Sequence, residues 1–210
     1  MAGTLVKICG LRTSETLAAA VAAGADYVGL VHFEKSPRHL TLAEAGRLRA
    51  AVPPHVKAVL LVVNPSPDTL AEALSEVRPD VVQFHGQEMP EALARFRAAT
   101  GIEVWRALGV RSAESLANAA RFHGAADRLL FDAPASGLPG GNGTRFDWDL
   151  LRAYHAPTPW GLAGGLTPAN VAEAIRLTGA LLVDTSSGVE RSPGIKDVDK
   201  IAAFCKAAQL

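Results

Sequence analysis

GADYVGLVHFEKSPRHLTLAEAGRLRAAVPPHVKAVLLVVN (residues 24–64) holds an apolar run over 26–31, a helical stretch over 42–51 and a second apolar run over 56–62. The helical stretch opens on Thr41 with Glu44 three residues on, the spacing of a capping box. Strand, covering helix and parallel strand make a βαβ unit, and the alternation continues in both directions. Further apolar runs cover 4–9, 80–84, 103–107, 127–131, 158–162 and 180–184, and consecutive runs start 22 to 31 residues apart. That interval fits one strand, one helix and two loops. Helical periodicity fills the gaps over 14–23, 68–77, 90–99, 113–122, 147–153, 168–177 and 197–207. The runs themselves, such as VGLV, AVLLV and LLVD, are apolar almost throughout, as burial on both faces of a parallel sheet requires. An open doubly wound sheet would produce similar runs; eight repeats favour closure. The expected architecture is an α/β protein, a single-domain (β/α)8 TIM barrel over residues 1–210.

Composition narrows the function classes. At 210 residues the chain is short for a barrel, which typically takes about 250, so its loops must be brief. Lysine and arginine number 21 and aspartate and glutamate 21, leaving no net field to draw nucleic acid or an anionic membrane. No segment approaches the ~20 apolar residues of a membrane span, and no basic region followed by an apolar one marks a signal peptide. The expectation is a cytoplasmic protein, a monomer rather than a homodimer. Cys9 and Cys205 lie at opposite ends of the chain and read as two free thiols, Cys205 as packing of the last helix.

Barrel chemistry sits at the C-terminal ends of the strands. The polar residues there are Cys9, His32 with Arg38, Asn64, His85, Asp132, Gly164 with Gly165, and Asp184 with Ser186, Ser187 and Gly188. LAGGL (162–166) and DTSSGVE (184–190) follow the seventh and eighth runs, where many barrels bind phosphate through bare backbone amides and a short helix start. The plainer reading of these glycines is tight turns. Closure of the barrel makes strand eight the neighbour of strand one, so Asp132 and Cys9 flank that anion site. A phosphosugar anchored there would lie between a carboxyl and a thiol, a pair suited to general acid and base catalysis. Those roles require Asp132 protonated in an apolar setting and Cys9 as thiolate in a positive one, to which Lys7 would contribute. Taken singly, each residue has a plainer reading, inert packing for the cysteine and a loop cap for the aspartate. The long segment DAPASGLPGGNGTRF (132–146) is a candidate lid.

At these positions the chain resembles the phosphoribosylanthranilate isomerase family of tryptophan biosynthesis from end to end. The resemblance lies in KICG (7–10), GADYVGLVHFEKSPR (24–38), VVQFHG (81–86), Asp132 ending LLFD, GGNGTRFDW (140–148), LAGGLTPANV (162–171) and VDTSSGVERSPGIKD (183–197). It implies an Amadori rearrangement of a phosphosugar substrate with no cofactor and no metal. Cys9 would be the base and Asp132 the acid, Arg38 the anthranilate-binding arginine, and Asp184 the acidic residue near the substrate amine. Gly164, Gly165, Ser187 and Gly188 would hold the phosphate, with Gly141 and Gly143 closing from the sixth loop. His85 lines the anthranilate end or is a buried structural histidine. The chain departs from the family pattern at His32, where an aromatic residue is common, at Pro134, where a lysine often follows the acid, and at LLVVN (60–64).

Three rival readings remain at this level. A metal-dependent pentose-phosphate epimerase would draw on His32, His85, Asp132 and Asp184 as ligands, although the four are dispersed in sequence. A dual-substrate barrel acting on the histidine-pathway aminoaldose would need an aspartate where Cys9 stands. A catalytically silent phosphosugar-binding module would not need an acid and a base.

Overall fold

The protein is described by a computed structural model over residues 3–133, 146–152 and 154–209. Eight parallel strands close a barrel in sequential order: β1 (Leu5–Cys9), β2 (Tyr27–His32), β3 (Lys57–Val62), β4 (Val81–Phe84), β5 (Glu103–Gly109), β6 (Arg128–Asp132), β7 (Trp160–Leu162) and β8 (Leu182–Thr185). The ring shuts where β1 pairs with β8 over Leu5–Leu182 to Ile8–Thr185. Each strand begins one or two residues later than its apolar run, except β5, which starts where its run does and continues to Gly109. The helices α1 (Ser14–Ala22), α2 (Leu42–Ala50), α3 (Pro67–Glu76), α4 (Pro90–Thr100), α5 (Ala113–Ala117), α6 (Val171–Thr178) and α7 (Val198–Ala208) occupy the intervals.

Local chemistry sets the helix starts. Thr41 and Glu44 form the reciprocal capping box before α2. Ser66 caps α3 with Pro67 in its first turn, and Asp197 caps α7 through the amides of Asp199 and Lys200. Two expected helices fall short. The stretch 113–122 is a five-residue α-helix followed by a 3-10 helix (Asn118–Phe122), and 147–153 yields only the 3-10 turn Trp148–Leu151. A feature that the periodicity did not show is the antiparallel hairpin of β9 (Glu190–Ser192) and β10 (Ile195–Lys196), between β8 and α7.

Two apolar layers follow from strands buried on both sides. The larger lies between strands and helices and includes Ile8, Leu30, Leu60, Leu129, Phe131, Phe204 and Cys205. The inner layer draws Leu5, Tyr27, Val59, Val81, Trp105, Leu130 and Leu182 from seven strands into the barrel. The remaining strand contributes Gly161, where a Cβ would sit 2.5 Å from Leu182 Cδ2, so the ring is filled without it. Trp105 is wholly buried and packs at a tilt on Tyr27 with ring centroids 4.8 Å apart.

The opposite, N-terminal face carries a device used three times. Asp26, Asp80 and Asp127 each precede an even-numbered strand. Each accepts through Oδ2 a 2.8 Å hydrogen bond from the backbone N–H of Val6, Ala58 or Val104 on the odd-numbered strand beside it. The aspartate's own N–H donates back to the carbonyl of the same residue. Arg49 of α2 and Arg97 of α4 pair with the second oxygens of Asp80 and Asp127. These clamps satisfy strand amides that have no partner at the end of a parallel ladder. Asp127→Ala should lower the urea unfolding free energy by roughly 1–3 kcal/mol while leaving the circular dichroism of the folded state intact; an unchanged denaturation midpoint would show that the clamp is dispensable.

Candidate active site

Burial at the C-terminal mouth governs the titration of Asp132, His85, Cys9 and Asp184. Asp132, the last residue of β6, is buried; its Oδ1 accepts from the N–H of Ala133 at 2.7 Å and its Oδ2 lies 3.4 Å from His85 Nε2. Desolvation, then the charge of Asp184, raise the Asp132 pKa to about 7, against the pull of the Ala133 amide and Lys7. His85 is pushed down to about 3 by burial and by the nearby Lys7 and Arg106 charges, so its ring is neutral and lies beside Asp132.

Across the mouth, Cys9 ends β1 against Gly29 of β2, where a Cβ would come within 2.7 Å of Sγ. Gly29 is therefore the space the thiol occupies. Burial raises the Cys9 pKa and outweighs the lowering by Lys7. The positive setting that a thiolate requires is thus present in Lys7 but is outweighed by burial, and the balance favours the protonated thiol. Lys7 is fully buried, and its Nζ donates to Asp184 Oδ2 at 2.8 Å. Burial opposes the Lys7 charge, but Asp184 and Cys9 more than offset it and hold its pKa above the ordinary value. The Asp184 carboxyl is pushed up by burial, with Lys7 and Lys196 opposing.

Arg38 lines the same cavity at 8% exposure, and its guanidinium grips Glu190 in a fork, Nε to Oε1 at 2.7 Å and an Nη2 to Oε2 bond of 2.8 Å. Glu190 also accepts from Lys196 Nζ at 2.7 Å and from the N–H of Gly194, while Lys196 donates to the Ser186 carbonyl at 2.9 Å. Although burial pushes the Glu190 carboxyl up, Arg38 and Lys196 hold it below the ordinary value. The ion pair weighed against ligand binding for Arg38 thus exists, but it is buried and on the cavity wall. It joins the second loop to the hairpin after β8.

The glycines behave as close-approach positions. Gly164 (φ +79°) and Gly165 (φ +66°) take left-handed backbone, and a Cβ on Gly164 would stand 2.8 Å from Asp132 Oδ1. A Cβ on Gly188 would run into the Leu166 carbonyl, so the seventh and eighth loops pack edge to edge. The expected helix start after the eighth strand is a single 3-10 turn, Ser187–Val189. One cavity is lined by Cys9, Arg38, His85, Asp132, Gly164, Gly165, Asp184, Ser187 and Gly188 together. Gly141, Gly143, Pro134 and most of the candidate lid lie outside the described residues. His32 turns away to within 2.9 Å of the Leu40 carbonyl, and among the described residues no group of three or more histidine, cysteine, aspartate or glutamate side chains is placed to hold a metal ion. Sequence reading passed over Phe33, Val31 and Leu61, which form an apolar wall beside Cys9, and over Gln83, Glu190 and Lys196. The charged pair stood in VDTSSGVERSPGIKD, and Gln83 is the one polar residue in the strand VVQF.

A parallel barrel with a protonatable carboxyl, a thiol and a glycine-lined cleft at the ends of its strands defines an enzyme that moves protons on a small anionic substrate. A family model described as N-(5'phosphoribosyl)anthranilate (PRA) isomerase matches residues 6–207. The chain belongs to this family. It is 61% identical over 206 residues to the N-(5'-phosphoribosyl)anthranilate isomerase of Erythrobacter litoralis, covering 98% of this chain and 99% of that one. It is 52% identical to that of Cereibacter sphaeroides over the full length of both. The solved phosphoribosyl anthranilate isomerase of Thermotoga maritima superposes with a TM-score of 0.89 at 36% identity, covering 98% of each chain. A phosphoribosyl anthranilate isomerase solved in complex with reduced 1-(o-carboxyphenylamino)-1-deoxyribulose 5-phosphate superposes with a TM-score of 0.86 at 35% identity, with the same coverage.

The state of Cys9 can be read without substrate. Alkylation by iodoacetamide should follow a titration with a midpoint above that of an ordinary cysteine, and Lys7→Met should move the midpoint higher still. A midpoint at or below the ordinary value would show that Lys7 prevails over burial.

Proposed function

We propose that Cys9 and Asp132 are the base and acid that convert N-(5'-phosphoribosyl)anthranilate to 1-(2-carboxyphenylamino)-1-deoxyribulose 5-phosphate, the Amadori rearrangement of tryptophan biosynthesis. The observation that carries the assignment is the placing of a buried carboxyl and a buried thiol on the wall of one cavity, beside loops of glycine; burial there raises the carboxyl's pKa to about 7. Protonated Asp132 gives its proton to the furanose ring oxygen as the C1–O bond breaks, and the nitrogen lone pair forms the C1=N bond of a Schiff base. Thiolate Cys9 then takes the proton from C2; that electron pair becomes the C1=C2 bond of an enolamine, and the C=N electrons return to nitrogen. Tautomerisation moves the C2 hydroxyl proton to C1 and leaves the ketone.

The remaining residues suit the rest of the ligand. Gly164, Gly165, Ser187 and Gly188 offer close backbone approach to the phosphate, with Gly141 and Gly143 assigned to it by resemblance alone. Arg38 is assigned to the anthranilate carboxylate, and Phe33 with Val31 and Leu61 supplies an apolar wall for the aromatic ring. Asp184, charged against Lys7, is assigned to the substrate amine. Among the described residues, Lys7, Lys196 and Arg38 bring positive charge to the site beside Asp184 and Glu190, which suits a substrate carrying both a phosphate and a carboxylate. Both cysteines are free and buried, in keeping with the cytoplasm, and no helix among the described residues is long and apolar enough to cross a membrane. Among the described residues the exposed large apolar side chains are Met89, Leu181, Ile195 and Val198, few for a surface that a partner copy would cover, in keeping with a monomer.

Turnover followed by loss of substrate fluorescence should fall ~100-fold or more in both Cys9→Ala and Asp132→Asn; near-normal rates in either would remove that residue from the chemistry. Arg38→Ala should raise KM more than it lowers kcat. The pH profile has a particular form, because productive enzyme needs a protonated Asp132 and an ionised Cys9, the acid having the lower pKa. Between the two values the gain in thiolate offsets the loss of carboxylic acid. kcat/KM should rise to about pH 7, run level, and fall only above the thiol pKa. A profile already falling near pH 7 would rule out this ordering.

A further inference from the structure

Gln83 interrupts an otherwise apolar strand whose other members, Val81, Val82 and Phe84, are all buried. It is itself 2% exposed, sits in register with Leu61 of β3 and Trp105 of β5, and lines the cavity that holds Cys9 and Asp132. Its Oε1 has no hydrogen-bond partner among the described residues. A leucine or methionine would pack at such a position without an unmet polar atom, so the amide is a cost to folding unless something else satisfies it. The Oδ1 of Asp184 is unmet in the same way. β4 and β8 stand on opposite sides of an eight-strand ring, so unfulfilled polar atoms come from two facing walls of one pocket.

The geometry points to Gln83 as a substrate-binding residue whose carboxamide takes the C3 hydroxyl of the ribose. This rests on the reaction assigned above. A carboxamide is uncharged and does not exchange protons during turnover, so it suits a group that the reaction leaves unchanged. The C2 hydroxyl becomes a carbonyl and the ring oxygen becomes the C4 hydroxyl, whereas the C3 hydroxyl is the same in substrate, Schiff base, enolamine and product. A hydroxyl donates and accepts, so it matches either edge of the amide. C3 adjoins C2, and holding its oxygen fixes the direction in which the C2 proton faces the thiol.

The test compares phosphoribosylanthranilate with its counterpart made from 3-deoxyribose 5-phosphate and anthranilate, on the full chain and on Gln83→Met, with Gln83→Leu as a second packing-compatible replacement. The wild type should favour the parent compound by roughly tenfold in kcat/KM. The variants should lose most of that preference, turn over the deoxy compound as the wild type does, and melt at the same or a higher temperature, which a structural glutamine would not allow. Equal wild-type rates on both compounds, an equal loss on both in the variants, or destabilisation of both variants would each overturn the assignment. Absence of any turnover of the parent by the wild type would instead remove the underlying reaction, and this assignment with it.

Discussion

The ion pair between Lys7 and Asp184 is the contact on which the mouth of the barrel depends. It spans the seam where the last strand closes on the first, and neither charge has bulk water to stabilise it. Either partner alone would be a buried, uncompensated charge, which typically costs about 3–5 kcal/mol. The pair also acts on both reactive groups: Lys7 works against burial at Cys9, and Asp184 adds to burial in raising the Asp132 pKa, each opposed in part by its own partner.

Burial supplies the other half of that tuning. It makes Asp132 an acid able to hold a proton near neutrality and deprives His85 of its charge, so the imidazole does not compete as a cation for the carboxylate. The same burial works against the thiolate. A base that forms only in a minor fraction of molecules is compatible with fast proton transfer, because a thiolate of raised pKa is the stronger base. Glu190 extends the arrangement outward: its carboxylate joins Arg38 to Lys196, and Lys196 joins both to Ser186. The two regions assigned to opposite ends of the substrate are therefore coupled through one side chain.

Much of this was legible in the residues. Strand and helix order followed from apolar runs with a regular spacing, and the capping box at Thr41 marked its helix start to the residue. The residues at strand ends converged because parallel strands bring all their C-terminal ends to one face. The missed elements had no periodic signal to give. The hairpin of β9 and β10 is three and two residues long; at 147–153 the opposite happened, and helical periodicity stood where only the 3-10 turn Trp148–Leu151 forms. Gln83 and the Arg38–Glu190 pair were hidden for another reason: an unmet amide and a pair 152 residues apart in sequence exist only once the chain has folded. The balance at the thiol was only half legible: Lys7 is visible in KIC, whereas the depth of burial that outweighs it is not.

The aspartate clamps at the far end are distributed unevenly, joining β1 to β2, β3 to β4 and β5 to β6, while Ala180 and Leu181 precede β8 and its register with β7 is a single pair, Leu162 with Val183. The ring is thus three firmly tied couples and one loosely tied one, and the loose couple bears the glycine loops. That couple is joined instead at the mouth, where the Thr185 hydroxyl donates to the Leu166 carbonyl at 2.7 Å and the bare Cα of Gly188 leaves that oxygen the room it needs.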